Sequence, residues 1–300
     1  MASIENVGWQ FSALYTNHKQ CNGVFEHFLK IKSSLREGTI ILEGVPSIEF
    51  KNVSFKYPNT DVFALKNINF KLEPGEKMLL AGINGSGKTT LVKLLLRMYD
   101  PTEGEILING IPVNLYSISS VRKMFGVLFQ NTELYAKTFK DNIKISNYDE
   151  DTNNCNYEVS LSASGAGMIR KKLKFIDNTQ ITRQFDNEGY EPSGGEKQKI
   201  GLARAYYRSA NFVILDEPSS AQDAFAEEYI FQEFEKNYHQ KSAIIISHRL
   251  SVASIVDKIA FIEKGDLLGF GTHEDLFNQC ERYKTLYKMQ ADGYLNKDGE

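Results

Sequence analysis

Gly82-Ile83-Asn84-Gly85-Ser86-Gly87-Lys88-Thr89 follows an apolar run, Met78-Leu79-Leu80-Ala81, and precedes a helical pattern that begins at Leu91. This order predicts a strand, a glycine-rich loop and a helix. Glycines let such a loop turn several backbone N–H groups inward, and the N-terminus of the following helix adds the positive end of its dipole. The loop is therefore expected to cradle a polyphosphate, with Lys88 reaching the β- and γ-phosphates and the Thr89 hydroxyl binding Mg²⁺. The sequence thus predicts that the chain binds a nucleoside triphosphate.

The composition is that of a globular protein. The chain has 300 residues, of which 42% are apolar and 24% charged, enough for one large domain or two smaller ones. A formal net charge of −3 gives no overall attraction to nucleic acid, so no nucleic-acid partner is expected. The three cysteines, Cys21, Cys155 and Cys280, lie far apart and are interpreted as free thiols. Because about eighteen apolar residues never run together, we expect the isolated chain to be soluble.

Changes in periodicity divide the chain into three parts. Apolar residues recur at helical spacing between Phe11 and Ile31 and are followed by glycine and proline breakers. We predict a helix and linker over residues 1–45, a main domain over 46–291 and a polar tail over 292–300.

Sequence patterns typical of β-strands occur near both ends of the main domain. Alternating apolar and polar residues over 48–72 predict strands, and Asn109-Gly110 predicts a two-residue hairpin turn, so the first third is expected to be partly antiparallel. Residues 131–193 have no strong strand pattern and are predicted to be a helical insertion. Continuous apolar runs, typical of buried parallel strands, follow at 212–215, 243–246 and 258–262.

Two carboxylates follow the first of these runs. Asp216 and Glu217 would lie at the carboxyl end of a buried strand, where ligands of open α/β sheets bind. We expect Asp216 to support the Mg²⁺ shell and Glu217 to orient or deprotonate the attacking water. A second glycine-rich helix start, Pro192-Ser193-Gly194-Gly195-Glu196, has anion-binding potential of its own.

With these motifs in this order, residues 46–290 resemble the nucleotide-binding domain of an ATP-binding cassette (ABC) transporter. The resemblance implies an α/β fold of the P-loop NTPase type. This fold has a mostly parallel core sheet, an N-terminal antiparallel β-subdomain and an inserted helical subdomain at about 131–210. It also implies an ATPase that uses ATP and Mg²⁺.

The resemblance assigns a role to each motif. It implies a Walker A loop at 82–89, a Q-loop at Gln130 and a Walker B motif that ends at Asp216-Glu217. It implies the family signature at Ser193-Gly194-Gly195-Glu196 and a D-loop at Ser220-Ala221-Gln222-Asp223. It also implies a switch histidine at His248 and, at Tyr57, an aromatic residue that stacks on adenine. The implied catalytic residues are Glu217, His248, Gln130 and Lys88. The implied metal-site residues are Thr89, Gln130 and Asp216. The implied nucleotide-binding residues are Tyr57, Gly82, Asn84, Gly85, Ser86, Gly87, Lys88, Thr89, Thr90, Ser193, Gly194, Gly195, Glu196 and Asp223.

Three positions depart from the family pattern. Pro192 replaces the usual Leu before the signature serine, Glu196 the common Gln, and Gln222 the usual Leu of the D-loop. Proline just before a helix is tolerated. Because the signature serine and glycines remain, as does Glu217, we predict a hydrolytic site.

The segment before the first strand favours an exporter. It resembles the cytosolic end of the last membrane helix of an exporter, whereas importer ATPases normally begin near the first strand. The stretch Phe185-Asp186-Asn187-Glu188-Gly189-Tyr190-Glu191 resembles a bacterial exporter subgroup. We therefore expect the ATPase portion of a larger exporter, lacking most of its transmembrane domain and working at the cytoplasmic face of the cell membrane. The implied partners are a transmembrane domain and a second ABC ATPase domain, identical or not, paired head to tail.

Alternatives remain at this stage. The chain could be a soluble, non-transport ABC ATPase, which predicts a basic surface or a long coiled-coil insertion. It could also be an ATP-binding regulatory module, which predicts the loss of Glu217 or His248. The helix predicted over residues 11–31 could simply pack on the domain.

Overall fold

One large sheet organises the protein. The computed structural model describes residues 35, 37–147, 154–218, 232, 234, 236 and 241–295. The strands in this part of the chain are β1 (Ile48–Lys56), β2 (Phe63–Leu72), β3 (Lys77–Ala81), β4 (Glu103–Ile108), β5 (Ile111–Pro112), β6 (Phe125–Leu128), β7 (Phe212–Asp216), β8 (Ser242–Ser247), β9 (Lys258–Glu263) and β10 (Asp266–Gly271). These ten strands form a single sheet in the order β5-β4-β1-β2-β10-β9-β3-β8-β7-β6.

The centre of the sheet is parallel. Strand β3 pairs in parallel with β8 and β9, and β7 pairs in parallel with β8 and β6. Strands β3, β7 and β8 are buried along their whole length, as expected for strands covered on both faces. The predicted α/β class with a mostly parallel core is confirmed. Its consequence for function is that the carboxyl ends of β3, β7 and β8 meet at one edge.

The N-terminal side of the sheet is antiparallel. Strand β1 pairs with β2 and β4, and β4 turns directly into β5. The predicted hairpin turn is confirmed, since Asn109 and Gly110 have φ of 52° and 76°, the positive values that a type I′ turn needs at both central positions. Phe50 and Phe70 stack across β1 and β2 with ring centroids 4.7 Å apart.

Helices connect and cover the strands. They are α1 (Lys88–Leu95), α2 (Ile118–Lys123), α3 (Phe139–Lys144), α4 (Asn154–Ser164), α5 (Gly167–Arg170), α6 (Gly194–Tyr207), α7 (His273–Gln279) and α8 (Glu281–Leu295). Short 3₁₀ helices are Val113–Leu115, Ile176–Asn178 and Leu250–Ile255.

The segment predicted as a helical insertion is only partly helical. It contains α3, α4 and α5, but residues 179–193 are mostly irregular chain that is held by isolated bridges from Gln180 to Thr138 and from Ile181 to Tyr190. Backbone groups in this stretch bond across the loop instead of along a helix, which local periodicity does not reveal. A separate apolar cluster joins α3, α4, α5 and α6 and includes Phe139, Tyr157, Leu161, Ile200 and Tyr207. These four helices therefore share an apolar core of their own.

Some expectations fall outside the described residues. They are the helix at 11–31, Cys21 and the D-loop from Ser220 to Asp223. Cys280 is a free thiol, as predicted. Among the residues that the structure describes, no helix is both long enough and apolar enough to cross a membrane.

Candidate active site

A cleft of about 690 Å³ opens at the edge where the carboxyl ends of the parallel strands meet. Predicted site residues that line it are Tyr57, Asn84, Gly85, Gly87, Lys88, Thr89, Thr90, Gln130, Asp216 and Glu217. Gly82 and Ser86 belong to the same loop, and His248 lies beside Glu217. The fold therefore brings residues from both halves of the sequence to one place.

The glycine-rich loop needs glycine for two physical reasons. Gly82 has φ of 147° and Gly87 φ of 112°, which L side chains rarely adopt. A Cβ at Gly82 would lie 2.1 Å from the Ile262 carbonyl oxygen, and one at Gly87 would lie 2.7 Å from Leu65 Cδ2. Neither position accepts a side chain, so the close approach of the loop to β9 and β2 depends on both glycines.

Lys88 points back into the loop. Its buried Nζ donates to the carbonyl oxygens of Gly82 and Ile83, each at 2.8 Å. Burial lowers the pKa of Lys88, although the nearby Glu217 and Asp216 carboxylates oppose this effect. A desolvated ammonium that donates to two uncharged carbonyl oxygens would gain from a phosphate, which offers a charge-assisted hydrogen bond.

The buried carboxylate at the end of β7 suits a cation. Burial, and then the charge of Glu217, raise the pKa of Asp216 to about 6, while Lys88 lowers it. A bound cation would relieve this cost. The hydroxyl of Ser86 is also buried and has no hydrogen-bond partner among the residues described here. Such an orphaned donor in a glycine cradle fits a phosphate oxygen.

A magnesium site here would combine different kinds of oxygen ligand. Within the described residues, no three side chains of His, Cys, Asp or Glu cluster in a way that would hold a metal ion. Magnesium sites in nucleotide-binding proteins typically use one or two side chains together with substrate phosphates. The exposed Thr89 and Gln130, with Asp216 behind them, fit that pattern.

Glu217 is held from several sides. Gln130 Nε2 donates to Glu217 Oε2 at 2.8 Å, and His248 Nδ1 lies 3.4 Å from Glu217 Oε1. The backbone of Glu217 is fixed too, because its N–H donates to Ile246 at 2.9 Å and its carbonyl accepts from Gln198 Nε2 at 2.7 Å. These bonds hold a φ of 50° that a glutamate rarely adopts. The strand end thus presents a carboxylate in a fixed direction.

Tyr57 lines one side of the cleft. Its hydroxyl lies 3.0 Å from Thr90 Oγ1, and its ring packs edge-on against Phe55 and Tyr99 with centroids 5.0 and 5.4 Å away. Lys93 Nζ lies 5.4 Å from the ring centroid. The ring is half-buried and fixed in place, which suits it to stack on a planar base.

The signature residues lie away from this cleft. Ser193 caps α6, with its Oγ accepting from the Glu196 N–H at 3.3 Å, while Glu196 Oε2 accepts from the Ser193 N–H at 3.0 Å. Glu196 also accepts from the Tyr190 hydroxyl at 2.9 Å and from Lys172 Nζ at 3.0 Å. Burial alone would raise the pKa of Glu196, but the Ser193 N–H, Lys172 and Tyr190 together lower it. Its carboxylate therefore has a structural role that sequence reasoning did not predict.

This network gives a first testable prediction. Glu196→Ala should lower the free energy of unfolding by about 1 kcal/mol, because it removes half of a capping box and leaves the Ser193 N–H without its acceptor. Glu196→Gln, the residue common in the family, should cost less, since its amide oxygen still accepts from that N–H. Urea denaturation measures both changes. Glu191→Ala is the matched control, because the ion pair of Glu191 with Lys197, at 3.6 Å, is exposed. Equal losses for the two alanine variants would contradict the capping role.

Sequence reasoning missed part of the cleft wall. The additional lining residues are Val62, Phe63, Ala64, Ile246, Lys264 and Gly265. Val62 is 76% exposed, a property that the sequence around Tyr57 does not reveal. Lys264 and Gly265 follow β9, and they lie at the cleft because β9 pairs in parallel with β3, a pairing that the sequence does not reveal. The Gly265 N–H then reaches the Ser86 carbonyl at 2.9 Å.

The chain is similar to known proteins of one family. The model of the ABC transporter family matches residues 65–220, about half of the chain. The subtilin transport ATP-binding protein SpaT of Bacillus subtilis is 40% identical over 287 residues, which are 95% of this chain and 46% of SpaT. The nisin transport ATP-binding protein NisT of Lactococcus lactis subsp. lactis is 35% identical, over 87% of this chain and 44% of NisT.

More distant relatives show the same pattern of coverage. The ATP-dependent lipid A-core flippase of Escherichia coli K12 is 34% identical, over 97% of this chain and 48% of the flippase. A solved structure of a bacterial Atm1-family ABC exporter with ATP bound superposes with a TM-score of 0.77 at 27% identity, covering 87% of this chain and 44% of the exporter. The chain thus spans about half the length of the relatives that it matches. From the fold, the site and these relatives, we conclude that the chain belongs to the ABC transporter family, as an ATP-binding domain of the exporter type with the ABC ATPase fold.

Proposed function

We propose that the chain binds ATP with Mg²⁺ and hydrolyses it to ADP and phosphate, and that this reaction powers export of a substrate across a membrane. The main support is the arrangement of Glu217 opposite the glycine-rich loop. Its carboxylate accepts from Gln130 at 2.8 Å and lies at the same cleft as Lys88 and Thr89. A phosphate cradle and a fixed base at one cleft are the two parts that phosphoryl transfer to water requires.

Each residue would contribute one interaction. Glu217 would accept the proton of the attacking water, and Gln130 and His248 would keep its carboxylate in place. Lys88 would exchange its two carbonyl partners for β- and γ-phosphate oxygens, and Tyr57 would stack on adenine. Thr89, Gln130 and Asp216 would hold Mg²⁺, which when bound neutralises charge on the phosphate oxygens. His248 would also contact the γ-phosphate as negative charge develops there.

We further propose a head-to-tail dimer with composite sites. Ser193 and Gly194 are exposed and do not line the cleft of their own chain. The start of α6, with its free backbone N–H groups and positive dipole end, would instead close over ATP held by a second ABC ATPase domain. Asp223 would join this interface. ATP then favours the closed dimer and hydrolysis favours the open one, which is a ligand-driven population shift.

The proposed role in transport is supported by the names of the relatives. SpaT and NisT are named for transport of subtilin and nisin, and the E. coli relative is named a lipid A-core flippase. The three transported molecules differ, whereas all three names refer to ATP. We therefore assign to this chain the ATP-driven step, acting with a transmembrane domain at the cytoplasmic face of the cell membrane.

A composite site predicts that hydrolysis depends on protein concentration. The rate per chain should rise with concentration until the dimer is saturated, because each site needs the signature residues of a second chain. The measurement is Mg²⁺-dependent phosphate release across a concentration series, with molecular mass followed by light scattering. Glu217→Gln serves as the inactive control. A constant rate per chain over the whole series would show that one chain suffices and would contradict the head-to-tail site.

A further inference from the structure

We infer that Gln290, in the C-terminal helix α8, positions the catalytic His248. This inference rests on the proposed function, in which His248 assists hydrolysis. Gln290 Nε2 donates to the His248 carbonyl at 2.6 Å, and Gln290 Oε1 accepts from the Leu250 N–H at 2.8 Å. One side-chain amide thus forms hydrogen bonds with the backbone on both sides of Arg249, and we call this pair of bonds the clamp.

The histidine needs such support because its own ring is weakly held. The His248 side chain is 52% exposed, and its ring Nδ1 lies 3.4 Å from Glu217 Oε1. Burial therefore does not fix the ring. The place of the ring therefore depends on the backbone of His248, which connects the end of β8 to the 3₁₀ helix that begins at Leu250.

Helix α8 is itself well anchored, so Gln290 can act as a rigid clamp. Tyr283 is fully buried and packs edge-on against Phe261 of β9 with centroids 5.7 Å apart. Arg282 makes a paired contact with Glu263, at 2.8 Å from Nη2 to Oε1 and 3.1 Å from Nε to Oε1. Gln290 follows Tyr283 by two helical turns and so lies on the same face of the helix. The clamp is therefore tied to the sheet that carries the active site.

The second bond of the clamp connects to the core. Leu250 is only 1% exposed and belongs to the same apolar cluster as Tyr283 and Phe261. Gln290 therefore joins the backbone of the exposed His248 to the packed interior. A shift of about 1 Å in a positioned group reduces rates by up to about 100-fold.

The test uses Gln290→Leu, which removes both bonds at similar volume, and Gln290→Glu, which keeps only the acceptor for Leu250. We expect kcat to fall about 10- to 100-fold in Gln290→Leu and less in Gln290→Glu, with ATP affinity changed by less than about twofold. In a His248→Ala background, Gln290→Leu should cause no further loss, because the two residues act as one unit. Lys288→Ala, an exposed change in the same helix, should match the wild type.

A second readout does not depend on hydrolysis. In histidine-ring NMR, with the His248 signal identified by its absence in His248→Ala, Gln290→Leu should shift that signal, and Lys288→Ala should not. An unchanged His248 signal or an unchanged kcat in Gln290→Leu would overturn the positioning role. An equal loss of kcat in the wild-type and His248→Ala backgrounds would overturn it too, since it would show a structural effect only. A wild-type protein that binds ATP but does not hydrolyse it overturns the proposed function instead. In that case the NMR shift still tests whether Gln290 positions His248.

Discussion

Glu217→Gln is expected to lower the rate of ATP hydrolysis by about 10²- to 10⁴-fold while leaving ATP binding intact. The amide has nearly the same shape as the carboxylate but does not take a proton from water. The loss of a negative charge beside Asp216 also removes one of the two effects that raise the pKa of Asp216, so binding of the anionic nucleotide should become equal or tighter. Single-turnover hydrolysis and a binding titration with a fluorescent ATP analogue measure the two quantities separately.

The control for this variant is Glu103→Gln, the same chemical change at an exposed position in β4. It should leave both the hydrolysis rate and the affinity as they are in the wild type. If Glu217→Gln retained hydrolysis within about threefold of the wild type, Glu217 would not be the base. Loss of ATP binding together with hydrolysis would point instead to collapse of the strand end, whose φ of 50° depends on the bonds around Glu217.

The phosphate loop and the carboxylates could be predicted from sequence because their chemistry is local. A loop between a buried strand and a helix must present its N–H groups at the strand end, so the position of Lys88 follows from residue order alone. Asp216 and Glu217 end another apolar run, and strand ends of a parallel sheet share one edge. The Asn109-Gly110 turn was predictable for the same reason, since its φ values depend on two adjacent residues.

Other features could not be predicted because they depend on contacts between distant segments. Glu196 gave no sequence signal for its bonds to Tyr190 and Lys172, which become neighbours only when the irregular chain before α6 folds back. Gln290 lies in an amphipathic helix far from every motif, and its amide meets the His248 loop only through the packing of α8 on β9. Lys264 reaches the cleft because β9 is inserted beside β3, an order of strands that periodicity does not contain.

Lys88→Ala should weaken ATP binding by about 100-fold, equivalent to about 2.7 kcal/mol, because it removes the buried ammonium that would bind the β- and γ-phosphates. The same change frees the Gly82 and Ile83 carbonyls, each of which accepts from Nζ at 2.8 Å. Those oxygens would then face the phosphates without a compensating charge, and this repulsion adds to the loss. Isothermal titration with ATP and with ADP measures the effect, and the loss should be greater for ATP, which carries the additional γ-phosphate.

The comparison with ADP separates phosphate recognition from a folding defect. A collapsed loop would weaken ATP and ADP alike, whereas loss of a contact to the terminal phosphates affects ATP more. Lys123→Ala supplies the charge-matched control, since Lys123 is exposed in α2 and does not line the cleft. Binding of ATP by Lys88→Ala at the strength of Lys123→Ala would contradict the assignment. In that case the backbone N–H groups and the buried Ser86 hydroxyl would have to supply most of the phosphate binding, and the lowered pKa of Lys88 would simply reflect its burial in the loop.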